Sequence, residues 1–403
     1  MWKRMAFAAL MSLGGLSAQA QQQPDPFGGQ FGAVEIALPP GEADDSAEKM
    51  GAALAALAPQ RKGVLDTYVL VASLWNDPVF ENEAKEASII LARHFDAEGR
   101  TIVLSAGRGG GARAYPAATP DNFQAAIGKI GRTIDPKEDL VVVFITSHGG
   151  PDGAVGVQEK GRMQGALRPL NLRQSLQQAG IRSKVVIVSA CFSGNFIPPF
   201  NDPDTLVLTA AAADKTSFGC EPSRDFTYFG DAMFNHALRG GANLLSAYGE
   251  ALGLITKWEG DLHRQWEQMP GAQRANTAEP VPSNPQKNVG DNIMPMIVKA
   301  EAYGGAIACA GHLAFALDRA RSSRALKGLP DVDQLQKARA AAETRAAVLA
   351  VPLQHSQQDV ARAIAAMSTN IVQIFPGQIE TVTGHAAACL AASNTTQAAA
   401  GAG

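Results

Sequence analysis

Short, uniformly apolar runs alternate along this chain with amphipathic stretches of helical period. The runs fall at 66–73 (DTYVLVAS), 101–105 (TIVLS), 141–146 (VVVFIT), 184–189 (KVVIVS) and 205–211 (TLVLTAA). Strands that are apolar at nearly every position are buried on both faces, as in a parallel sheet with helices on either side. Between them, helical periodicity occupies 81–95, 121–132 behind Pro120, 170–180 with a Gly stop, 230–239 and 244–266. This alternation predicts an α/β fold over residues 63–299, with a mostly parallel sheet flanked by helices in three αβα layers.

Outside that block the pattern changes. Residues 21–62 are rich in Gln, Pro, Gly and Ala, with one weak helical stretch at 44–58, and read as a flexible linker. The segment 270–288 is polar and studded with Pro280, Pro282 and Pro285, which predicts an exposed loop. From 300 to 392 the chain turns Ala-, Arg- and Gln-rich with helical periodicity at 331–351 and 359–367, predicting a small C-terminal helical domain. Residues 393–403 read as a disordered Ala/Gly tail.

The first twenty residues follow another logic. Lys3 and Arg4 precede an apolar run from Met5 to Leu16 and then Ala18-Gln19-Ala20, the layout of a secretory signal peptide cleaved after Ala20. The run falls short of the ~20 apolar residues that span a bilayer, and no later segment is long and apolar enough. A periplasmic or secreted chain without a membrane span is the expectation. The formal net charge of −3 argues against a nucleic-acid or anionic-membrane surface. Four cysteines, Cys191, Cys220, Cys309 and Cys389, are too few for a disulfide scaffold. An oxidising compartment would still pair those able to meet, and Cys309 with Cys389, both in the C-terminal part, is the expected bridge.

Two of the apolar runs end in reactive residues. The first continues as Thr146-Ser147-His148-Gly149-Gly150 and the second as Ser189-Ala190-Cys191-Phe192-Ser193-Gly194. Catalytic groups of open parallel sheets sit at the carboxyl ends of strands, so these endings would present imidazole and thiol on one rim. The 43 residues from His148 to Cys191 leave room for one crossover helix. A thiol attacks as thiolate, so Cys191 needs a nearby base, and it must stay out of any disulfide. His148 would draw off that proton and return it to a leaving amine. The backbone N–H groups of Gly149 and Cys191 would face a developing oxyanion.

These motifs resemble the catalytic motifs of the caspase-like cysteine peptidases, and more narrowly of the legumain-like C13 family. A third block, TAAAADKTSFG at 209–219 with Cys220 and then FTYFGD at 226–231, is similar to that family's pocket loop and following helix. The resemblance covers roughly residues 64–296 and implies a caspase-like fold, an endopeptidase acting on peptide or protein substrates, and no cofactor or metal. It assigns substrate binding to Ser189, Ser217 and Asp231. In family members that cleave after asparagine, an acidic residue stands where Ser189 is, and an Arg stands near 81–83, where this chain has Glu81 and Glu83. Asp231 without that Arg would favour Arg or Lys before the cut; the other reading of Asp231 is a first-turn helix carboxylate. Cys220 falls beside the pocket as a packed thiol or a redox brake.

The histidines outside this pair show no metal-ligand spacing, and the Gly-rich loop at 107–111 lacks the Lys-Ser/Thr of a phosphate loop. Transpeptidation by the same acyl-enzyme, and a non-catalytic caspase-like binding domain, are the alternatives to hydrolysis. The C-terminal helical part would, as in related peptidases, cover the active site until the 270–288 loop is cut, with Arg274, Asn276, Asn284 and Lys287 as candidate self-cleavage points.

Overall fold

The computed structural model describes residues 35–36, 40–106, 114–159, 163–322, 324–374 and 377–400. The expected signal peptide and the 107–111 loop lie outside the described residues. The first half of the chain runs β1 (Glu35–Ile36), α1 (Pro40–Ala56), β2 (Thr67–Ser73), α2 (Pro78–His94), β3 (Thr101–Ser105), α3 (Pro120–Thr133) and β4 (Leu140–Thr146). It continues with β5 (Val155–Glu159), β6 (Met163–Leu167), α4 (Pro169–Gln178), β7 (Lys184–Ser189) and β8 (Thr205–Thr209). Then come α5 (Tyr228–Gly230), which passes into π-helical turns over Asp231–Leu238, α6 (Leu244–Glu267), α7 (Gly271–Arg274) and β9 (Lys287–Val289). Five further helices close the chain: α8 (Ile293–Ala300), α9 (Ala302–Arg321), α10 (Val332–Ala350), α11 (Gln357–Ile374) and α12 (Ile379–Ala400).

The main sheet has six strands in the order β3-β2-β4-β7-β8-β9, parallel except for the antiparallel edge strand β9. Every residue of β2, β4, β7 and β8 is buried. The uniform apolar runs thus have the cause expected of them: alternate side chains enter two different cores. Val141, Val143 and Ile145 of β4 pack with Phe123 and Ile130 of α3 and Leu172 and Leu176 of α4 on one face. Leu140, Val142 and Phe144 pack on the other with Ala87 and Leu91 of α2, Phe234, and Tyr248 of α6. At roughly 1.5–3 kcal/mol for each fully buried Val, Ile, Leu or Phe, these paired faces dominate the domain's stability.

Three features differ from the sequence reading. The 21–62 segment is not a free linker in its described part: Met50 of α1 and Leu57 just after it are seated in the α3/α4 core, and β1 pairs with β6. Second, the connection from β4 to β7 holds a hairpin as well as α4. The β5 and β6 strands pair antiparallel, with β1 as a third strand. That hairpin is short and rich in Gly and Gln, so its alternation was too faint to read. Third, the 270–288 loop, exposed over 271–279 as expected, is anchored at its far end. Ser283 donates from its N–H and hydroxyl to Glu259, the Thr209 N–H donates to the Gln286 carbonyl, and Lys287–Val289 forms β9. At the far terminus, α12 extends to Ala400, through most of the segment read as a disordered tail.

Helices α9 to α12 enclose a third core, from Tyr303 through Leu313, Leu335 and Ile371 to Cys389. Its Ala-rich seams allow close helix approach. Cys309 of α9 and Cys389 of α12 form a disulfide, with Cα atoms 5.3 Å apart. Among the described residues no single helix is long and apolar enough to cross a membrane; α8 and α9 pass only as a pair bent by 48°. The helical domain docks on the last turn of α2, where His94 Nε2 pairs with Glu301 Oε1 at 2.6 Å. The same oxygen accepts the Leu244 N–H at 2.6 Å. Nearby, His355 pairs with Asp96 at 2.6 Å. A helix that leaves the carboxyl end of β2 returns its own C-terminus to the opposite edge of the sheet. The domain also packs along the chain from the π-helical stretch to α6, where His312 and His385 meet the Gly240 carbonyl and His385 meets Glu250.

The disulfide closes a loop of 80 residues, which restricts the unfolded chain. Replacing Cys309 and Cys389 together by Ser should destabilise the helical domain by about 4 kcal/mol in the chain-entropy account. Chemical denaturation followed by far-UV circular dichroism measures this, and an unchanged unfolding curve would show that packing alone holds the domain.

Candidate active site

Parallel pairing of β4 with β7 sets the site. Thr146 faces Ser189 in the ladder, and the Ser147 N–H donates to the Ser189 carbonyl at 3.1 Å. Carried two residues past that pair, the same register sets His148 opposite Cys191. The two backbones are in close approach there: a Cβ built on Gly149 would lie 1.9 Å from the Cys191 carbonyl oxygen. Only glycine fits at this crossing.

The His148 loop is propped by the hairpin that the sequence reading missed. Ser147 Oγ donates to the Gly156 carbonyl at 2.6 Å, and the Gly156 N–H donates to the His148 carbonyl at 2.8 Å. Gly149 bridges Val155 across this ladder through its neighbours' hydrogen bonds, so its own N–H is left out of it. Neither the Gly149 N–H nor the Cys191 N–H takes part in a backbone hydrogen bond among the described residues. Two donors therefore stand ready on one rim.

The imidazole is fixed from three sides. Trp75 and Phe80 meet the ring edge-on, with centroids 5.0 and 4.9 Å away. Asp77 Oδ2 lies 3.3 Å from His148 Nε2. Asp77 stands at the N-cap of α2, ahead of Pro78, yet makes no capping hydrogen bond with its side chain. Its carboxylate serves the histidine instead of the helix. A neutral His148 that donates from Nε2 to Asp77 keeps Nδ1 as its proton acceptor. An Asp-Pro pair before a helix reads in sequence as an ordinary cap, and nothing in that signal points to a partner 71 residues away.

Cys191 follows β7 directly and is half-buried and unpaired. The next residue, Phe192, has φ of 56°, a left-handed conformation that costs a non-glycine residue roughly 1–2 kcal/mol. Its N–H donates to the Lys215 carbonyl at 2.7 Å, and Asn195 donates to its carbonyl, which holds the turn. The thiol lies against Ser217: the Ser217 N–H donates to Sγ at 3.2 Å, and its hydroxyl oxygen is 3.6 Å away. No hydrogen bond joins Sγ to His148.

The three residues assigned to substrate binding divide. Ser217 touches the nucleophile itself. Ser189 is buried, its hydroxyl 3.0 Å from Thr227 Oγ1. Asp231 begins the π-helical stretch, its N–H on the Thr227 carbonyl, one turn from that same Thr227. It is already matched: Asn235 donates to it at 2.8 Å, His236 lies at 3.4 Å and Arg224 at 3.9 Å. Burial works to raise its pKa, but the His236 and Asn235 hydrogen bonds and the Arg224 charge outweigh that and hold it below the usual range. Asp231 thus offers no unpaired charge, and Glu83 is fully buried. Asp231 is thus not the isolated carboxylate that the expectation of Arg or Lys before the cut assumed, since Arg224 lies 3.9 Å from it.

Cys220 is a half-buried thiol near the site, its pKa pushed up to about 11, first by burial and then by the charge of Cys191. It stays a protonated wall residue. The C-terminal helices meet elements of the site at two places: α2 carries Phe80 against His148 at one end and His94 against Glu301 at the other, and Gln378 contacts His236, the partner of Asp231. The two contacts of α2 are separated by roughly 20 Å of helix.

Inserting a methyl at Gly149 tests the crossing. Gly149→Ala should force β4 and β7 apart at their ends and destabilise the domain by about 1–3 kcal/mol. It should also raise the accessibility of Cys191 to a bulky maleimide. Wild-type stability and labelling would mean that the close approach is not maintained in solution.

Residues 118–249, which span α3 to the start of α6 and include both motifs, match the model of the peptidase C13 family. No curated protein matches the chain. Among solved structures, the crystal structure of Caspase-1 from Spodoptera frugiperda is similar over 58% of this chain and 92% of that chain, at 11% identity and a TM-score of 0.37. The part of the α/β domain that brings His148 to Cys191 is thus similar to the peptidase C13 family.

Proposed function

We propose that the chain is an exported cysteine endopeptidase in which Cys191 is the nucleophile, His148 the general acid and base, and Asp77 the group that orients His148. The observation that carries this reading is the register-set approach of His148–Gly149 to Cys191, with two unused N–H groups beside the thiol. His148 Nδ1 takes the Cys191 proton, and the thiolate attacks the scissile carbonyl to form a C–S bond. The carbonyl oxygen becomes an oxyanion facing the Gly149 and Cys191 N–H groups. Collapse breaks the C–N bond, and the proton on His148 leaves with the amine. Water, deprotonated by His148, then hydrolyses the thioester and frees the thiol.

Export is supported by the signal-like N-terminus and by the Cys309–Cys389 disulfide, which persists in oxidising compartments. In the pocket, the pairing of Asp231 with Arg224 and His236 favours a neutral polar side chain such as Asn before the scissile bond, one able to use both donors and acceptors. The open position for water would equally admit an amine, so hydrolysis is favoured only by water's abundance.

A fluorogenic peptide panel with Asn, Asp, Arg, Lys or Ala before the reporter tests these assignments. The wild type should cleave the Asn peptide fastest, and Cys191→Ala should lose all turnover. Asp77→Ala should fold normally and lower kcat about 10- to 100-fold, less than loss of the base itself. Activity surviving in Cys191→Ala would refute the nucleophile assignment, and a preference for Arg or Lys would refute the reading of the pocket.

A further inference from the structure

Beneath the rim lies a buried carboxyl group that the reaction does not use. Glu83, on the second turn of α2, is fully buried. Its Oε2 accepts the Thr227 N–H at 2.9 Å and the Thr227 hydroxyl at 2.7 Å. Because the single hydroxyl proton of Thr227 goes to Glu83, the Ser189 hydroxyl must donate to Thr227 Oγ1 across their 3.0 Å contact. Thr227 Oγ1 also accepts the Gly230 N–H at 2.9 Å and so caps α5. The carboxyl group is seated against Gly230, where a Cβ would lie 1.9 Å from Oε2.

The other oxygen, Oε1, has no hydrogen-bond partner, and neither has the Thr146 hydroxyl. Thr146 and Ser189 are the last residues of β4 and β7, paired in the ladder and each two residues short of a site residue. Both hydroxyls lie close enough to the Glu83 carboxyl to favour a charge on it. Burial raises its pKa, against the opposing pull of Thr227, Ser189 and Thr146. A proton on Oε1, directed at Thr146 Oγ1, satisfies both orphaned atoms at once, whereas an ionised carboxylate there would be a buried charge with no cationic partner.

We propose that Glu83 is a positioning residue for Cys191, acting as an uncharged carboxylic acid that ties together the end of β4, the end of β7 and the loop running from Ala210 to Thr227. That loop carries Ser217, whose N–H rests on Cys191 Sγ, and its end is fixed both by Glu83 and by the Tyr228 N–H on the Phe218 carbonyl. Releasing Thr227 frees the loop that sets the thiol.

This inference rests on the peptidase reading only for its kinetic arm. The experiment uses the full chain with Glu83→Gln and Glu83→Ala, measuring kcat, KM and, by mass spectrometry against an added cysteine peptide, the iodoacetamide alkylation rate of Cys191. An amide can accept from Thr227 and donate to Thr146, so Glu83→Gln should keep both rates within about threefold of wild type. Glu83→Ala should lower kcat and change Cys191 alkylation relative to the added peptide, each about 10- to 100-fold, with KM little altered. Loss in Glu83→Gln as large as in Glu83→Ala would overturn the uncharged role. Wild-type rates in Glu83→Ala, or a switch in the preferred residue before the cut in either variant, would overturn the positioning role. If Glu83→Ala does not fold, Glu83→Gln decides alone: retention supports the inference and loss refutes it. If the wild type cleaves no peptide, the peptidase reading fails while alkylation still tests Glu83.

Discussion

The molecule depends on one parallel pairing, that of β4 with β7. Its register is fixed by burial: Val141, Val143 and Ile145 face one core and Leu140, Val142 and Phe144 the other, with Val185 and Ile187 beside the second set. Slipping the ladder by one residue would interchange these sets, at a cost no other contact could offset. The same constraint carries His148 to Cys191, so the chemistry follows from how the core is packed. The site itself is a departure from regular structure at the end of that pairing, with a glycine crossing at Gly149 and a left-handed Phe192. Such local strain is tolerated where the surrounding sheet over-determines the backbone.

Around the pair, the supporting groups come from three separate elements. Asp77 comes from the start of α2, the Ser147 and His148 supports from the β5/β6 hairpin, and the Ser217 contact from the loop after β8. Phe80 and Glu83, one turn apart on α2, meet His148 and Thr227 respectively, so a single helix bears on both halves of the site. The C-terminal helices join that helix at its opposite end through Glu301. They have their own core and their own disulfide, and they also reach His236, the partner of Asp231, through Gln378.

The sheet and the two reactive residues were legible because their signals are local. An apolar run ending in His-Gly or Ala-Cys needs no distant information, and the C13 resemblance rested on the same blocks. The supporting shell was not legible, for physical reasons. Asp77 looks like a helix cap, Arg224 meets Asp231 only through the fold of its loop, and Glu83 looks like one more polar residue of an amphipathic helix that turns out to be buried. The β5/β6 hairpin failed to register because Gly156 and Gly165 interrupt its alternation. The linker reading of 21–62 failed where composition was allowed to outweigh Met50 and Leu57, whose burial tethers α1.

The central claim is that Cys191 and the two N–H groups beside it form one reaction centre served by His148. A crystal structure of the chain soaked with a peptide aldehyde tests it most directly. The account predicts a hemithioacetal on Cys191, its oxygen within hydrogen-bonding distance of the Gly149 and Cys191 N–H groups, and His148 Nε2 still on Asp77. An adduct on Cys220, or one on Cys191 with its oxygen turned away from both N–H groups, would contradict it.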